Sequence, residues 1–225
     1  MHRLSAREGL TRMRLLPFTL SAHVSTLWAI SDAFHQVNPL ADEPCRFCGQ
    51  FSGRWQERFY LDGDHTNDAA ENVVAACPLC YLAQHLERPR IHEEAALIWL
   101  PEMSQRALIA LVRTLHLSLR AAGEPVDAAA ASSGRSGPSV HLYRARQELL
   151  ARATPAKTRL GTSSPRELGA ALRALPAAAY ARRDQLLGGL RFMPLGRLYR
   201  GDQDVYPEVL ATWARLATAK QAARS

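Results

Sequence analysis

The chain's four cysteines form two Cys-x-x-Cys pairs, Cys45-Arg-Phe-Cys48 and Cys77-Pro-Leu-Cys80, separated by 28 residues. A Cys-x-x-Cys turn aims two sulfurs at one point. Two such turns supply the four thiolates of a tetrahedral zinc site, where the metal favours loss of each thiol proton. One structural Zn(2+) held by Cys45, Cys48, Cys77 and Cys80 is therefore expected. The spacer is longer than in the simplest zinc ribbons and leaves room for a hairpin between the pairs. Redox chemistry or disulfides are the rival reading. A thioredoxin-like site needs only one pair, set at a helix start after a strand in an alternating pattern that is not found here.

With 225 residues the chain can bury a core of its own, so it does not need metal everywhere. Alanine, leucine and arginine dominate while aromatics are only 7%, which favours helices. The expected class is mainly α with a small β component, a zinc knuckle embedded in a helical domain. No run approaches a membrane span, and Met1-His2-Arg3-Leu4 lacks the basic-then-apolar order of a secretory signal, so direct membrane insertion is not expected. Cysteines accounted for by zinc suit a reducing cytoplasm.

The net charge of +7 is unevenly spread. Residues 1–40 carry 4 basic and 2 acidic side chains, residues 41–103 carry 5 and 11, and residues 104–225 carry 19 and 8. A finger that grips phosphates should be basic, whereas this cysteine region is acidic and four thiolates would make it more so. Nucleic acid is therefore disfavoured as a partner. The positive charge lies in the helical remainder, where arginines on solvated faces account for it. A non-catalytic nucleic-acid-binding zinc module remains an alternative through Arg106, Arg113 and Arg120, whose spacing of seven sets them on one side of a helix as an exposed stripe.

Along the chain, a helix is expected over 21–36, with Ser21 as cap and Val24, Leu27, Trp28, Ile30 and Phe34 on its buried face. His23 and His35 flank that face, but four thiolates already complete a zinc shell. Gly49 and Gly53 supply turns around the first cysteine pair, and 55–61 reads as a short strand. Residues 97–100 form a buried extended segment stopped by Pro101. Ser104 then caps a helix to about residue 122, with Leu108, Leu111, Val112, Leu115 and Leu119 on one face and Gly123 at its end. The stretch 123–139 has the composition of a flexible linker or exposed loop. This gives a zinc-binding region with flanking helices over 1–122, a flexible linker or loop over 123–139 and a helical C-terminal region over 140–225.

Within that last region a helix over 140–153 is expected to end at Ala153-Thr154-Pro155. Ser164-Pro165-Arg166-Glu167 is a capping box with proline at the first helical position, starting a helix toward Leu175. Another helix runs from Pro176 to Leu187 and breaks at Gly188-Gly189, and 190–195 is extended. The last helix, over 207–220, presents Val209, Leu210, Trp213 and Leu216, with Tyr206 packing just before it. Its apolar face reads as core or as a docking face.

Between the cysteine pairs lies Asp62-Gly63-Asp64-His65-Thr66-Asn67-Asp68, then Glu71-Asn72-Val73-Val74 leading into Cys77. This order resembles the zinc-stapled version of the HNH, or ββα-metal, fold. In active members the resemblance implies a second, catalytic divalent metal. Asp64 would bind it, His65 would activate the attacking water, and Asn72 would orient that histidine or brace its loop. A histidine directly after the last cysteine would complete the ligands, but Tyr81 stands there, and a neutral phenol is a poor ligand for a hard ion. His85, four residues on, could face the same point. The loop between His65 and Asn72 is also short and lacks the usual glycines and proline. Asp64, His65, Asn72 and His85 are thus expected to be vestigial, with Asp64 and His65 hydrogen-bonding the loop. A metal-dependent HNH-type nuclease is the alternative.

Three segments together are similar to the IcmJ (DotN) family: the divergent knuckle, the stretch Leu97-Ile98-Trp99-Leu100-Pro101-Glu102-Met103-Ser104-Gln105 before a long helix, and Gly189-Leu190-Arg191-Phe192-Met193-Pro194-Leu195 before the terminal tryptophan helix. The resemblance implies a cytoplasmic zinc protein of a type IVB secretion system. Such a protein binds the C-terminal tail of the coupling ATPase and other coupling-complex proteins, at the inner face of the membrane through that partner, and helps recruit effector substrates. It is a scaffold and not an enzyme.

Overall fold

The computed structural model describes residues 15–22, 40, 42–127 and 139–223. The helix expected over 21–36, with His23 and His35, lies outside the described residues beyond Ala22, as does most of the linker, at 128–138. The protein is mainly helical with a small β component. Its elements run β1 (Glu57–Tyr60), β2 (Val73–Ala76), α1 (Pro78–Leu82), α2 (Ile91–Glu94), β3 (Ala95–Trp99), α3 (Gln105–Ala121), α4 (Ser139–Ala151), α5 (Ala153–Leu160) and α6 (Pro165–Arg173). They continue with α7 (Ala177–Ala181), α8 (Arg183–Leu187), β4 (Leu190–Pro194), β5 (Tyr199–Arg200), β6 (Gln203–Asp204) and α9 (Tyr206–Ala222). Among the described residues the strands form three antiparallel pairs, β1 with β2, β3 with β4 and β5 with β6. No helix among these residues is long and apolar enough to cross a membrane.

The β3–β4 pair joins segments about ninety positions apart, in register from Ala95 opposite Pro194 to Trp99 opposite Leu190. Both outer edges are covered, which removes unpaired strand donors and acceptors. On one side the Gln105 amide mimics a neighbouring strand, donating to the Phe192 carbonyl at 2.7 Å and accepting from the Phe192 N–H at 2.8 Å. On the other side Leu97 N–H donates to the Ser163 carbonyl and Trp99 N–H to that of Arg152. Gly189 has to be glycine, because a Cβ there would lie 2.6 Å from Cβ of Pro101.

Helix α3 begins where its cap predicts, with Ser104 Oγ accepting from Ala107 N–H at 3.2 Å. Leu108, Val112, Leu115 and Leu119 are buried, but Leu111 is exposed, since it sits about a quarter turn from the centre of the buried stripe. The capping box at Ser164 also forms, its Oγ accepting from Glu167 N–H, and Leu168 and Leu172 bury the inner face of α6.

Two expected boundaries move. Pro155 does not end the helix before it; α4 already stops at Ala151, and the proline falls in the first turn of α5, where a missing N–H costs nothing. The helix expected from Pro176 to Leu187 breaks at Arg182 into α7 and α8. Next to the break, the Arg183 guanidinium donates to the Tyr180 carbonyl and across to that of Leu20.

The apolar face of α9 is core. Trp213 is 2% exposed and donates its indole N–H to Ser52 Oγ at 2.8 Å, while Trp55 donates to Thr212 Oγ1 at 3.2 Å. Leu216 is half-buried at the outer end of the same face. A single apolar cluster runs from Phe47, Trp55 and Phe59 through Leu79 and Leu97 to Phe192 and Trp213. Residues on both sides of the 123–139 segment therefore share one core.

Candidate metal centre

Each cysteine pair is placed by its own backbone turn. In the first, Cys45 N–H donates to the Gln50 carbonyl and Gly49 N–H returns to that of Cys45, with Gly49 at φ 75°. Arg46 N–H ties this turn to β2 through the Ala75 carbonyl. In the second, Cys77 is the residue before α1, Pro78 occupies the first helical position, and Tyr81 N–H donates to the Cys77 carbonyl. The hairpin β1–β2 brings the two turns together.

The four Sγ atoms all lie within 4.8 Å of one another, and those of Cys48 and Cys77 are 3.6 Å apart. Zinc–sulfur bonds of about 2.3 Å give a sulfur–sulfur edge of roughly 3.8 Å in a regular tetrahedron, so the spacing fits one ion. None of the four is in a disulfide; Cys45, Cys77 and Cys80 are buried and Cys48 is half-buried. Both pairs converge on a single point, as a metal centre requires and a lone redox pair does not. The group can hold one metal ion.

The electrostatics agree with that use. Burial opposes ionisation of Cys45, but hydrogen bonds from the Cys48, Cys77 and Cys80 thiols outweigh it and hold its pKa far below the usual thiol value. Burial, with thiolate character already on the neighbouring sulfurs, pushes Cys77 and Cys80 well above it. Four crowded sulfurs thus cannot all ionise without a cation between them.

The residues singled out by the HNH resemblance stand apart. Asp64 is exposed and accepts from the N–H and hydroxyl of Thr66, which lower its pKa. His65 packs on the Tyr60 ring at 4.6 Å, and partial burial lowers its pKa. Asn72 does not touch His65: it donates to Asp62 and to the Asn67 carbonyl and accepts from Asp62 N–H, bracing the loop. His85 is buried, stacked on Tyr81 at 3.9 Å, with Nδ1 2.7 Å from the Tyr81 carbonyl. The expected helical face does not reach His85, because α1 ends at Leu82; His85 lies beyond it, in an isolated β-bridge with Ala22. Among the described residues the cysteines are the one group of three or more His, Cys, Asp or Glu side chains arranged to hold an ion.

The arginine stripe of α3 is not a free surface. Arg106 donates to the carbonyls of Phe47 and Leu16, and the Arg113 guanidinium lies over the Trp213 ring at 6.0 Å; of the three only Arg120 is exposed. Seven-residue spacing did put them on one side, but that side meets the N-terminal segment and α9. Several acids of the cysteine region are likewise matched by arginines from the C-terminal half: Glu57 by Arg200, Glu87 by Arg173, Glu93 by Arg197 and Glu102 by Arg152. Arg88 and Glu94 form a buried bidentate pair that also holds the backbone of Tyr199. Ser52, Thr212 and the hold of Glu94 on Tyr199 carry no sequence signal, because each partner comes from a distant segment.

No known protein-family profile matches the chain. A stretch of 77 residues, 33% of the chain, is 34% identical to the type 4 apparatus protein DotN of Legionella pneumophila subsp. pneumophila (strain Philadelphia 1). The match spans 36% of that protein's own length. The kinship visible in that third of the chain is with the DotN (IcmJ) family.

Proposed function

We propose that the protein is a cytoplasmic, zinc-stabilised adaptor of a type IVB secretion coupling complex, binding the C-terminal tail of the coupling ATPase and helping to recruit effector substrates. The observation that carries this reading is the convergence of four thiols on one point, in a chain that shares part of its sequence with a type 4 apparatus protein. Cys45, Cys48, Cys77 and Cys80 are the ligands of one structural zinc ion. Zinc is favoured because it prefers four thiolates in a closed tetrahedral shell and has no redox chemistry of its own. Its role is architectural: it fixes the knuckle so that the surrounding helices present a constant surface.

The hairpin followed by a short helix supports an HNH-like ancestry for the knuckle. Asp64, His65, Asn72 and His85 are read as the retained frame of a lost hydrolytic centre, now engaged in bracing and packing. Metal analysis of the purified protein tests the first part of the proposal, with one equivalent of zinc expected and none after Cys77→Ser. Capture by the immobilised ATPase tail tests the second. A protein that carries its zinc yet is not retained by the tail would remove the adaptor role and leave only the metal centre.

A further inference from the structure

The four sulfurs are shielded unequally: Cys45, Cys77 and Cys80 are buried, whereas Cys48 is half-buried. The Cys48 side is therefore where water or a competing ligand can reach the centre. An extended segment, residues 15–22, lies across the backbone turn that carries Cys48. Leu16 N–H donates to the Arg46 carbonyl at 2.8 Å, and the Phe18 ring packs 5.7 Å from that of Phe47. A Cβ at Gly49 would stand 4.0 Å from Leu15 Cδ2. Arg106 fastens segment and turn together, donating to the Phe47 carbonyl at 2.6 Å and to that of Leu16 at 2.9 Å. Both chain neighbours of Cys48 are thus in contact with the segment.

The same segment is anchored again at its other end, by the α7–α8 turn and the residues after α1. The Arg183 guanidinium donates to the Leu20 carbonyl at 3.1 Å, and the Tyr180 hydroxyl accepts from Ala22 N–H at 3.3 Å. Ser21 donates its hydroxyl to the Gln84 carbonyl, and its own carbonyl accepts from Leu86 N–H. Between the anchors the sequence favours an extended path, since Pro17 biases Leu16 away from helix, and Leu16, Phe18, Leu20 and Ala22 turn alternately to the core. Its partners come from residues 46, 84–86, 106, 180 and 183, so the segment is pinned by scattered groups and has no helix or full sheet of its own. A stretch held in this way opens locally at far lower cost than the core beneath it.

We propose that residues 15–22 are a strap that governs retention of the metal: fastened to the α7–α8 turn at one end and lying on the Cys45–Cys48 turn at the other, it restricts approach to the centre, and loosening either end speeds exchange of the ion. Arg183 and Tyr180 act on the cysteine turn through the strap, so they are positioning residues and not ligands. The inference rests on the reading that the four thiols hold zinc, and it requires nothing of the ATPase tail. It also separates retention from overall stability, because the strap can lift while the shared core stays closed.

The test follows release of zinc from the full-length, zinc-loaded protein to an excess of the chromogenic chelator pyridylazoresorcinol. Phe18→Ala loosens the strap at the cysteine turn and Arg183→Ala at the far end. Met193→Ala opens a cavity in the separate cluster with Ile98, Leu108 and Val112, away from the strap. Release should quicken about tenfold or more in Phe18→Ala and about threefold or more in Arg183→Ala, and stay within about twofold of the parent in Met193→Ala although that variant loses the most stability. Labelling of Cys48 by N-ethylmaleimide, mapped by mass spectrometry on the protein as purified, should rise in the same order. Unchanged release in Phe18→Ala, a gain in Phe18→Ala with none at Arg183, or a gain in Met193→Ala equal to theirs would each overturn the strap. A parent purified without zinc would instead remove the metal reading, and equal Cys48 labelling in all the variants would then overturn the strap on its own. Circular dichroism matching the parent is required of each strap variant, and Tyr180→Phe, which removes only the hydroxyl, repeats the far-end test if Arg183→Ala disturbs the fold.

Discussion

The knuckle and the β3–β4 region are both built on a two-stranded sheet, but they are held in different ways. In the knuckle the strands are four residues long and the helix after them has little more than one turn, too little to stand alone in water. Its fixed points include the four converging sulfurs, the two tryptophan hydrogen bonds to Ser52 and Thr212, and Phe47, Phe59 and Leu79, which it contributes to the shared core. The β3–β4 sheet instead has α3 on one edge, residues 152 and 163 on the other, and Ile98, Leu108, Val112 and Met193 packed between. The comparison teaches that the knuckle adds a candidate coordination centre to the apolar core it shares with the rest, whereas the β3–β4 region is held by burial and edge hydrogen bonds. Four perturbations can break or sharpen that contrast.

The largest effect is expected for Cys77→Ser. Structural zinc sites contribute apparent binding free energies of about 10 kcal/mol or more to folding, so a lost ligand should unfold the knuckle outright. Limited proteolysis should then cut within 45–86 and release α9, while a fragment containing β3, β4 and α3 resists. Uniform resistance would show that the knuckle does not need its metal.

Next is Glu94→Ala at the junction of the two regions. Removing one partner of a buried ion pair leaves the other charge uncompensated, here Arg88, at a cost of about 3–5 kcal/mol. Chemical denaturation should record it with metal content unchanged.

A smaller, pH-dependent effect belongs to the side without sulfur. His116 on α3 is buried with Nδ1 2.8 Å from the Tyr206 hydroxyl, and burial, aided by nearby Arg146, pushes its pKa down to about 3 from 6.5. The unfolded chain therefore binds a proton that the folded one refuses. The stabilisation is complete above pH 6.5 and is lost as pH falls toward 3. His116→Gln should remove this slope, so the parent should lose about 2 kcal/mol more than the variant between pH 7 and pH 5. Parallel stability curves over that range would refute the assignment.

The smallest effect is expected at the rim, where Arg54 of the knuckle meets Glu208 of α9 with both side chains largely exposed. Arg54→Ala should cost less than about 1 kcal/mol and less still in high salt.

What the sequence disclosed follows the same division. Cysteine spacing announces a group able to hold a metal ion, because the geometry that aims two sulfurs together is local to each Cys-x-x-Cys turn. Ser104 and Ser164 announce their helices because a cap acts over three residues. The pairing of Trp213 with Ser52, and of Glu94 with Tyr199, joins distant segments, and nothing near those residues signals it. Arg106 illustrates the limit: its spacing from Arg113 and Arg120 gives the correct side of a helix, but not the carbonyls of Leu16 and Phe47 that wait there. Asp64 and His65 follow one another in the HNH order, yet His85 turns inward to Tyr81.

The β3–β4 pairing also bears on how the protein is made. Residue 95 leaves the ribosome long before its neighbour at 194, so the four cysteines, which span only 45 to 80, can come together while the central ribbon still lacks its second strand. Until translation reaches the second half, β3 is an open apolar edge, and the cysteine-bearing segment is the template on which the late-arriving strand and the closing helix have to assemble.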